Sequence, residues 1–196
     1  QEKVLDPLSP ALASSYNNKG LVYSNQGKYE EALKWYDKAL EIEEQISDPL
    51  SPALATSYIN KGIAYTAEGN LEEALKWYDK ALEIQEKVLD PLSPDLATTY
   101  ANKGLVYDDQ GKNEEALKWY SKALAIFEKV LDPLSPALAW SYATIGLTYG
   151  EMKNYEEAFG YIEKALPRFI KIFGEENENT ILLKQWIEVY KQVFEK

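Results

Sequence analysis

The sequence predicts an all-α protein, a right-handed superhelical solenoid of antiparallel helix hairpins, on three observations. The pentapeptide DPLSP recurs at Asp6, Asp48, Asp90 and Asp132, each copy 42 residues after the last. Within each copy, apolar residues fall three and four positions apart along two segments, the spacing of one helix face rather than the alternation of a strand. A glycine, Gly27, Gly69 or Gly111, divides the two segments in the first three copies. Self-similarity at a fixed period of this length marks a stack of supersecondary units, none of which buries both of its faces alone. Copies one and two agree at 29 of 42 ungapped positions, so one hairpin describes the others.

Taken in order, residues 1–5 (QEKVL) match the end of the second segment in later copies, such as Glu86–Leu89 and Glu128–Leu131. The sequence is therefore expected to open on the end of a preceding repeat, as a piece of a longer array. Residues 6–47, 48–89, 90–131 and 132–173 are four repeats, and residues 174–196 a C-terminal capping helix, all in a single solenoid domain. Each repeat starts helix A at Ser-Pro, as in Ser9 and Pro10. The serine hydroxyl can accept from free N–H groups, and proline fits the first helical position, which needs no N–H. Leu12, Tyr16, Gly20 and Tyr23 form one stripe, with Gly20 letting a neighbouring helix come close. Gly27, Gly69 and Gly111 end the helix in the left-handed conformation. Helix B opens on a Glu pair, Glu30 and Glu31 in the first copy, which suits the positive end of the helix dipole. Its stripe is Ala32, Leu33, Tyr36, Ala39, Leu40 and Ile46.

The fourth copy departs from the others at Trp140, Gly160, Pro167 and Arg168, as a terminal repeat is expected to. In the capping helix, Leu182, Leu183, Trp186, Val189, Tyr190 and Val193 follow helical spacing, with Lys184, Glu188, Lys191 and Glu195 between them.

Composition narrows the function. With 21 basic against 32 acidic residues the net charge is −11, which repels phosphate backbones and anionic lipid and argues against nucleic-acid or membrane partners. Cysteine and histidine are absent, which removes thiol nucleophiles, Ser-His and Cys-His pairs and histidine metal sites. No apolar run is long enough to span a bilayer and no leader is visible, so a soluble, cytoplasmic protein is expected.

Tyr16, Gly20, Tyr23, Ala32, Tyr36 and Ala39 resemble the signature of the tetratricopeptide repeat, W-x2-L-G-x2-Y then A-x3-F-x2-A, along essentially the whole chain. Two departures are plain. The leucine before the glycine is Lys19, Lys61 and Lys103, restored only as Ile145, and the proline that ends helix B is missing. The 42-residue period, the prolonged helix B and the two-proline loop look most like kinesin light chain-type repeats. The resemblance implies a concave groove lined by helix A, with contacts from its second, fifth, sixth, ninth, twelfth and thirteenth positions, the glycine counted as eighth. The sixth position is Asn18, Asn60, Asn102 and Thr144. In kinesin light chain repeats such a ladder holds an extended peptide backbone, and an amide can both donate to and accept from one. The alternative is that these amides bond to the neighbouring repeat or to water. Asn17, Ile59, Ala101 and Ala143 stand at the fifth position and Leu21, Ile63, Leu105 and Leu147 at the ninth. Asp108, Asp109 and Glu151 add negative charge at the twelfth and thirteenth. The groove lacks the pattern of a clamp for two carboxylates, so an acidic chaperone tail is rejected and a neutral or basic peptide or protein is expected.

Other signals have plainer explanations. Asp108–Glu115 (DDQGKNEE) has a central glycine like a calcium loop but lacks the ligand spacing, and it coincides with the turn between helices A and B. The Trp-Tyr pairs 35/36, 77/78 and 119/120 could stack bases, yet each places a member on the core stripe. Lys19, Lys61 and Lys103 are expected to lay their stems over a neighbouring helix. No nucleophile-base pair or metal cluster can be assembled, so no cofactor, metal or catalysis is expected. The leading reading is a non-catalytic interaction scaffold; the alternative is a structural array self-associating head to tail through its repeat ends.

Overall fold

The computed structural model of the chain describes residues 8–194, the side chain of Phe194 excepted. The readings that involve residues 1–5, Asp6 and Glu195 lie outside the described residues. The DPLSP segment is a turn that hands one repeat to the next. Asp48 Oδ1 accepts from Leu50 N at 2.8 Å and Asp48 O from Ser51 N at 2.8 Å, and Asp132 does the same with Leu134 and Ser135. An aspartate that bonds its own backbone two residues on is a built-in turn, and the proline that follows each serine then starts a helix. The serine hydroxyl caps in two places, Ser9 accepting from Leu12 N and Ser93 from Asp95 N. Ser51 and Ser135 make no side-chain cap.

The described residues form helices α1 (Pro10–Asn25), α2 (Tyr29–Ile46), α3 (Pro52–Glu68), α4 (Leu71–Val88), α5 (Pro94–Asp109), α6 (Asn113–Val130), α7 (Pro136–Glu151), α8 (Tyr155–Phe173) and α9 (Glu178–Phe194), with no strand among them. The chain divides into two compact units, Gln1–Pro91 with α1–α4 and Leu92–Lys196 with α5–α9. In the first, α1 pairs with α2, α3 with α4, and α2 lies against α3. In the second, α5 pairs with α6, α7 with α8, α6 lies against α7, and α9 closes on α8.

Each hairpin is joined at one close approach. A Cβ built on Gly20 would lie 2.5 Å from Tyr36 Cε1, and one on Gly62 2.8 Å from Tyr78 Cε1. In the first three hairpins the tyrosine ring of helix B thus occupies the place of the missing side chain on helix A, and in the fourth Ile162 does so against Gly146; Tyr36 and Tyr78 are among the largest fully buried side chains. Around this contact Ala32, Ala39, Ala74 and Ala81 are buried, small where backbones must approach. Ile46 falls off the expected stripe. It is exposed at the end of α2, and Ile42 and Glu43, one turn earlier, are buried instead. The indoles serve packing: Lys61 Nζ lies 3.7 Å and Lys80 Nζ 4.3 Å from the centroid of Trp77, and Trp35 and Trp119 carry the same pair of lysines. Lys61 does more than lay down its stem. Its side chain is buried and its ammonium pairs with Asp37 of α2.

Gly27, Gly69 and Gly111 turn the chain between helices with φ of 72°, 85° and 70°. At the same place in the fourth repeat stands Lys153, with φ 60°. A lysine there crowds its Cβ against the following carbonyl, a cost of about 1–2 kcal/mol that glycine avoids. Lys153→Gly is expected to raise the melting temperature, corresponding to about 0.5–1 kcal/mol once glycine's greater chain entropy is set against the relief; thermal unfolding followed by circular dichroism checks it.

The fourth repeat is otherwise regular. α8 runs unbroken through Pro167, which sits on its exposed side. The guanidinium of Arg168 bonds Lys164 O at 2.6 Å and Pro133 O at 2.9 Å. α9 begins 42 residues after α7, Glu178 against Pro136, and so takes the place of a first helix. Its buried face is Thr180, Leu183, Ile187 and Tyr190, whereas Leu182, Val189 and Val193, expected on one stripe with Leu183 and Tyr190, are exposed. Where each hairpin has its receiving glycine, α9 has Glu188, and Lys184 and Lys191 flank it on that face. No helix of the described residues is long and apolar enough to cross a membrane.

Candidate functional site

The fifth position of helix A decides what lies between one first helix and the next. In the first unit it is Asn17, half-buried, and its Nδ2 donates to Glu43 Oε1 of α2 at 3.0 Å and to Ser57 Oγ of α3. Asn17 thus joins α1, α2 and α3, a structural duty that the groove reading did not give it. Glu43 is buried and its second oxygen has no hydrogen-bond partner among the described residues; burial raises its carboxyl pKa, partly offset by the Ser57 and Asn17 bonds. A carboxyl raised on folding contributes stability that is full below its ordinary pKa and is lost as pH rises through the folded value. Glu43→Gln copies the neutral form, and the second repeat already carries Gln85 here. The variant is expected to melt higher than wild type at neutral pH. The advantage should shrink toward zero as pH falls through the carboxylate range, as melts across pH would show.

In the second unit the same positions read Ala101, Phe127 and Ser141, and the polar bridge is gone. In its place is a pocket of about 290 Å³ between α5 and α7. Its walls are Thr98, Ala101, Asn102 and Leu105 on one side and Ala137, Trp140, Ser141 and Thr144 on the other; Tyr120, Ala123 and Phe127 of α6 form the floor. One step on, between α7 and α9, Leu183 replaces the serine and is itself buried. The pocket arises where both the fifth position of one first helix and the third of the next are small. Trp140 stands over it, 41% exposed, its ring held edge-on at 4.8 Å from Phe169. Trp140, Phe127 and Ser141 were not singled out as site residues from the sequence. The signal available was the change from Glu43 and Gln85 to Phe127 and Phe169 down one column of the repeats.

The remaining groove residues fall as follows. Asn18 is exposed, Asn60, Asn102 and Thr144 half-buried, and none of the three amides is bonded to a described residue. The inter-repeat bond that was the alternative for this row is made instead by its neighbour, Asn17. Leu21, Ile63 and Leu105 are each more than 40% exposed, unusual for large aliphatic side chains recurring at one position, and Leu147 is half-buried. Ile59 packs against the core formed by Leu40, Leu54, Ala55, Tyr58, Ala81 and Ile84. Asp108 is half-buried and accepts from Thr148 Oγ1 at 3.3 Å; burial and then Glu151 push its carboxyl up. Asp109 and Glu151 are exposed, Glu151 Oε2 accepting from Asn113 Nδ2 at 3.2 Å. Gly111 is the turn between α5 and α6, as Gly27 and Gly69 are in the first two repeats, and no group of acidic residues among the described residues is arranged to hold a metal.

The sequence profile of the tetratricopeptide repeat matches residues 11–87, 55–129 and 95–171. No curated protein matches the sequence significantly. Among solved structures, a Podosopora anserina protein named for kinesin light chain, with nearly identical TPR-like repeats, is 20% identical over 94% of this chain and 87% of its own, with a TM-score of 0.80. BtubC (BKLC) from P. vanneervenii is 21% identical over 93% of this chain and 73% of its own, with a TM-score of 0.77. At such identities these two establish likeness of fold alone. A signal transduction ATPase with a tetratricopeptide repeat sensor, from Pyrococcus horikoshii, is 25% identical over 96% of this chain and 28% of its own, with a TM-score of 0.80.

Proposed function

From the premise that the chain belongs to the tetratricopeptide repeat family, a fold of protein-interaction scaffolds, we propose that it is a non-catalytic scaffold binding a protein segment along the exposed faces of its first helices. The observation that carries this reading is the pocket between α5 and α7. It is apolar, open, and rimmed by the amide of Asn102, which bonds no described residue. A buried apolar side chain supplies affinity, and an amide that can both donate and accept suits a peptide backbone whatever its sequence. Asn60 offers the same group in the first unit.

The test is to select peptides against the wild-type chain from a random display library, then measure them on two variants. Ala101→Leu fills the pocket, and Asn60→Ala with Asn102→Ala removes the amides. Each is expected to weaken binding by about tenfold or more, a loss of roughly 1.4 kcal/mol, with melting temperatures unchanged within a few degrees. Undiminished binding by both folded variants would place the site elsewhere.

Head-to-tail self-association has one observation in its favour: Lys19 and Val22 of α1 are exposed where their counterparts Lys61 and Ala64 of α3 are buried. Against it, α9 already lies on α8 as α3 lies on α2. Sedimentation velocity over a hundredfold range of concentration, about the range that resolves micromolar dimers, decides; a constant monomer ends that reading.

A further inference from the structure

On both walls of the pocket, the helical stripe that leaves it ends on a carboxylate. Along α5 the stripe runs Asn102, Leu105, Asp109; along α7 it runs Thr144, Leu147, Glu151. Residues four and seven apart share a helix face. Asp109 and Glu151 are exposed and neither is in an ion pair with a described residue. Asp108 lies beside them, its carboxyl pushed up first by burial and then by Glu151, with Asp109 adding to it, so the three sit within one another's field. Of the cations of this unit, Lys103 of α5 lies over the Trp119 ring, Lys118 pairs with Glu115, Arg168 lies over the Tyr142 ring, and Lys184 and Lys191 pair with Glu175 and Glu188; Lys112 and Lys153 stand in the turns after α5 and α7, neither in an ion pair with Asp109 or Glu151. In the first unit the corresponding stripes end on the uncharged Asn25 and Ala67. Two exposed carboxylates outside any ion pair with a described residue therefore accompany this pocket, and the corresponding stripes carry none where the Asn17 bridge fills the space.

We propose that the segment bound by the second unit is extended and carries a large apolar side chain with a lysine or arginine three or four residues away. This rests on the reading of the pocket given above. The spacing comes from geometry. Thr144 to Glu151 is seven residues of helix, about 10 Å at a rise of 1.5 Å. An extended chain advances about 3.3 Å per residue, so three or four residues carry a basic head from the pocket to the carboxylates. A glutamate at that place meets like charge, which makes the pair of acids a selector as well as an anchor.

The experiment is an array of capped dodecapeptides on a Gly-Ser background, each with one Leu, Phe or Trp and one Lys or Glu at separations of one to six. It is probed with the purified chain, and dissociation constants come from fluorescence anisotropy. Peptides with Lys at separation three or four are expected to bind about tenfold tighter than their Glu counterparts and to weaken with added salt. The preference should vanish in the Asp109→Asn, Glu151→Gln double variant, both substitutions being on exposed side chains, while dependence on the apolar residue persists. Equal binding of Lys and Glu peptides, still apolar-dependent and lost in Ala101→Leu, overturns this inference and leaves the pocket standing. Binding indifferent to the apolar residue, or no binding anywhere on the array, overturns both.

Discussion

Gly62→Ala is expected to destabilise the protein by about 1–3 kcal/mol, and the same substitution at Gly160 to stabilise it by about 0.5–1 kcal/mol. Both glycines lie within helices, so the backbone term favours alanine at each. What differs is the surroundings. A Cβ at Gly62 meets Tyr78 at 2.8, 3.0 and 3.0 Å, and Tyr78 is a fully buried ring that the helix pair closes upon. To admit the methyl, α3 and α4 must part, and the alanines at their crossing lose contact together. At Gly160 a Cβ meets nothing within 4 Å. Denaturant midpoints of the two variants should move in opposite directions. A Gly62→Ala midpoint equal to wild type would mean that the ring, rather than the helix, gives way.

The Asp37–Lys61 pair is expected to respond asymmetrically. Lys61 is 8% exposed at its side chain and Asp37 58%. Removing the exposed partner, Asp37→Ser, leaves an ammonium buried with only the Trp77 and Tyr65 rings beside it and should cost about 1–3 kcal/mol. Lys61→Ile leaves a carboxylate that water already reaches and should cost less. The double variant should recover to within about 1 kcal/mol of wild type, because a buried ion pair exchanged for apolar packing is often close to neutral. The chain has made this exchange itself: the corresponding residues of α6 and α7 are Ser121 and Ile145. A double-mutant cycle in urea measures the coupling; additive losses would show that the pair contributes nothing as a pair.

The fold was legible because its determinants are local and repeated. Ser-Pro marks the start of each repeat's first helix, glycine the turn in the first three repeats, and the period of 42 makes each reading support the next. What could not be read depends on residues brought together from separate repeats. Asn17 reads as a groove residue until Glu43 and Ser57, 26 and 40 residues away, claim its amide. The pocket requires Ala101, Phe127 and Ser141 to change together. Ile46 and Leu182 were misplaced for a simpler reason: both have helical spacing, but spacing says which residues share a face and not whether a neighbour lies against it.

Copies as alike as the first two are substrates for unequal recombination, which deletes or duplicates whole repeats in frame. A duplicated interior hairpin arrives with its own glycine and its own tyrosine, so the array can lengthen without any new contact having to be selected. Growth past α9 is different. A tyrosine-bearing second helix joined there would drive its ring against Glu188, where the four hairpins have a glycine. The array can thus change its length one interior repeat at a time, and a recognition surface can be copied, shifted or lost with each.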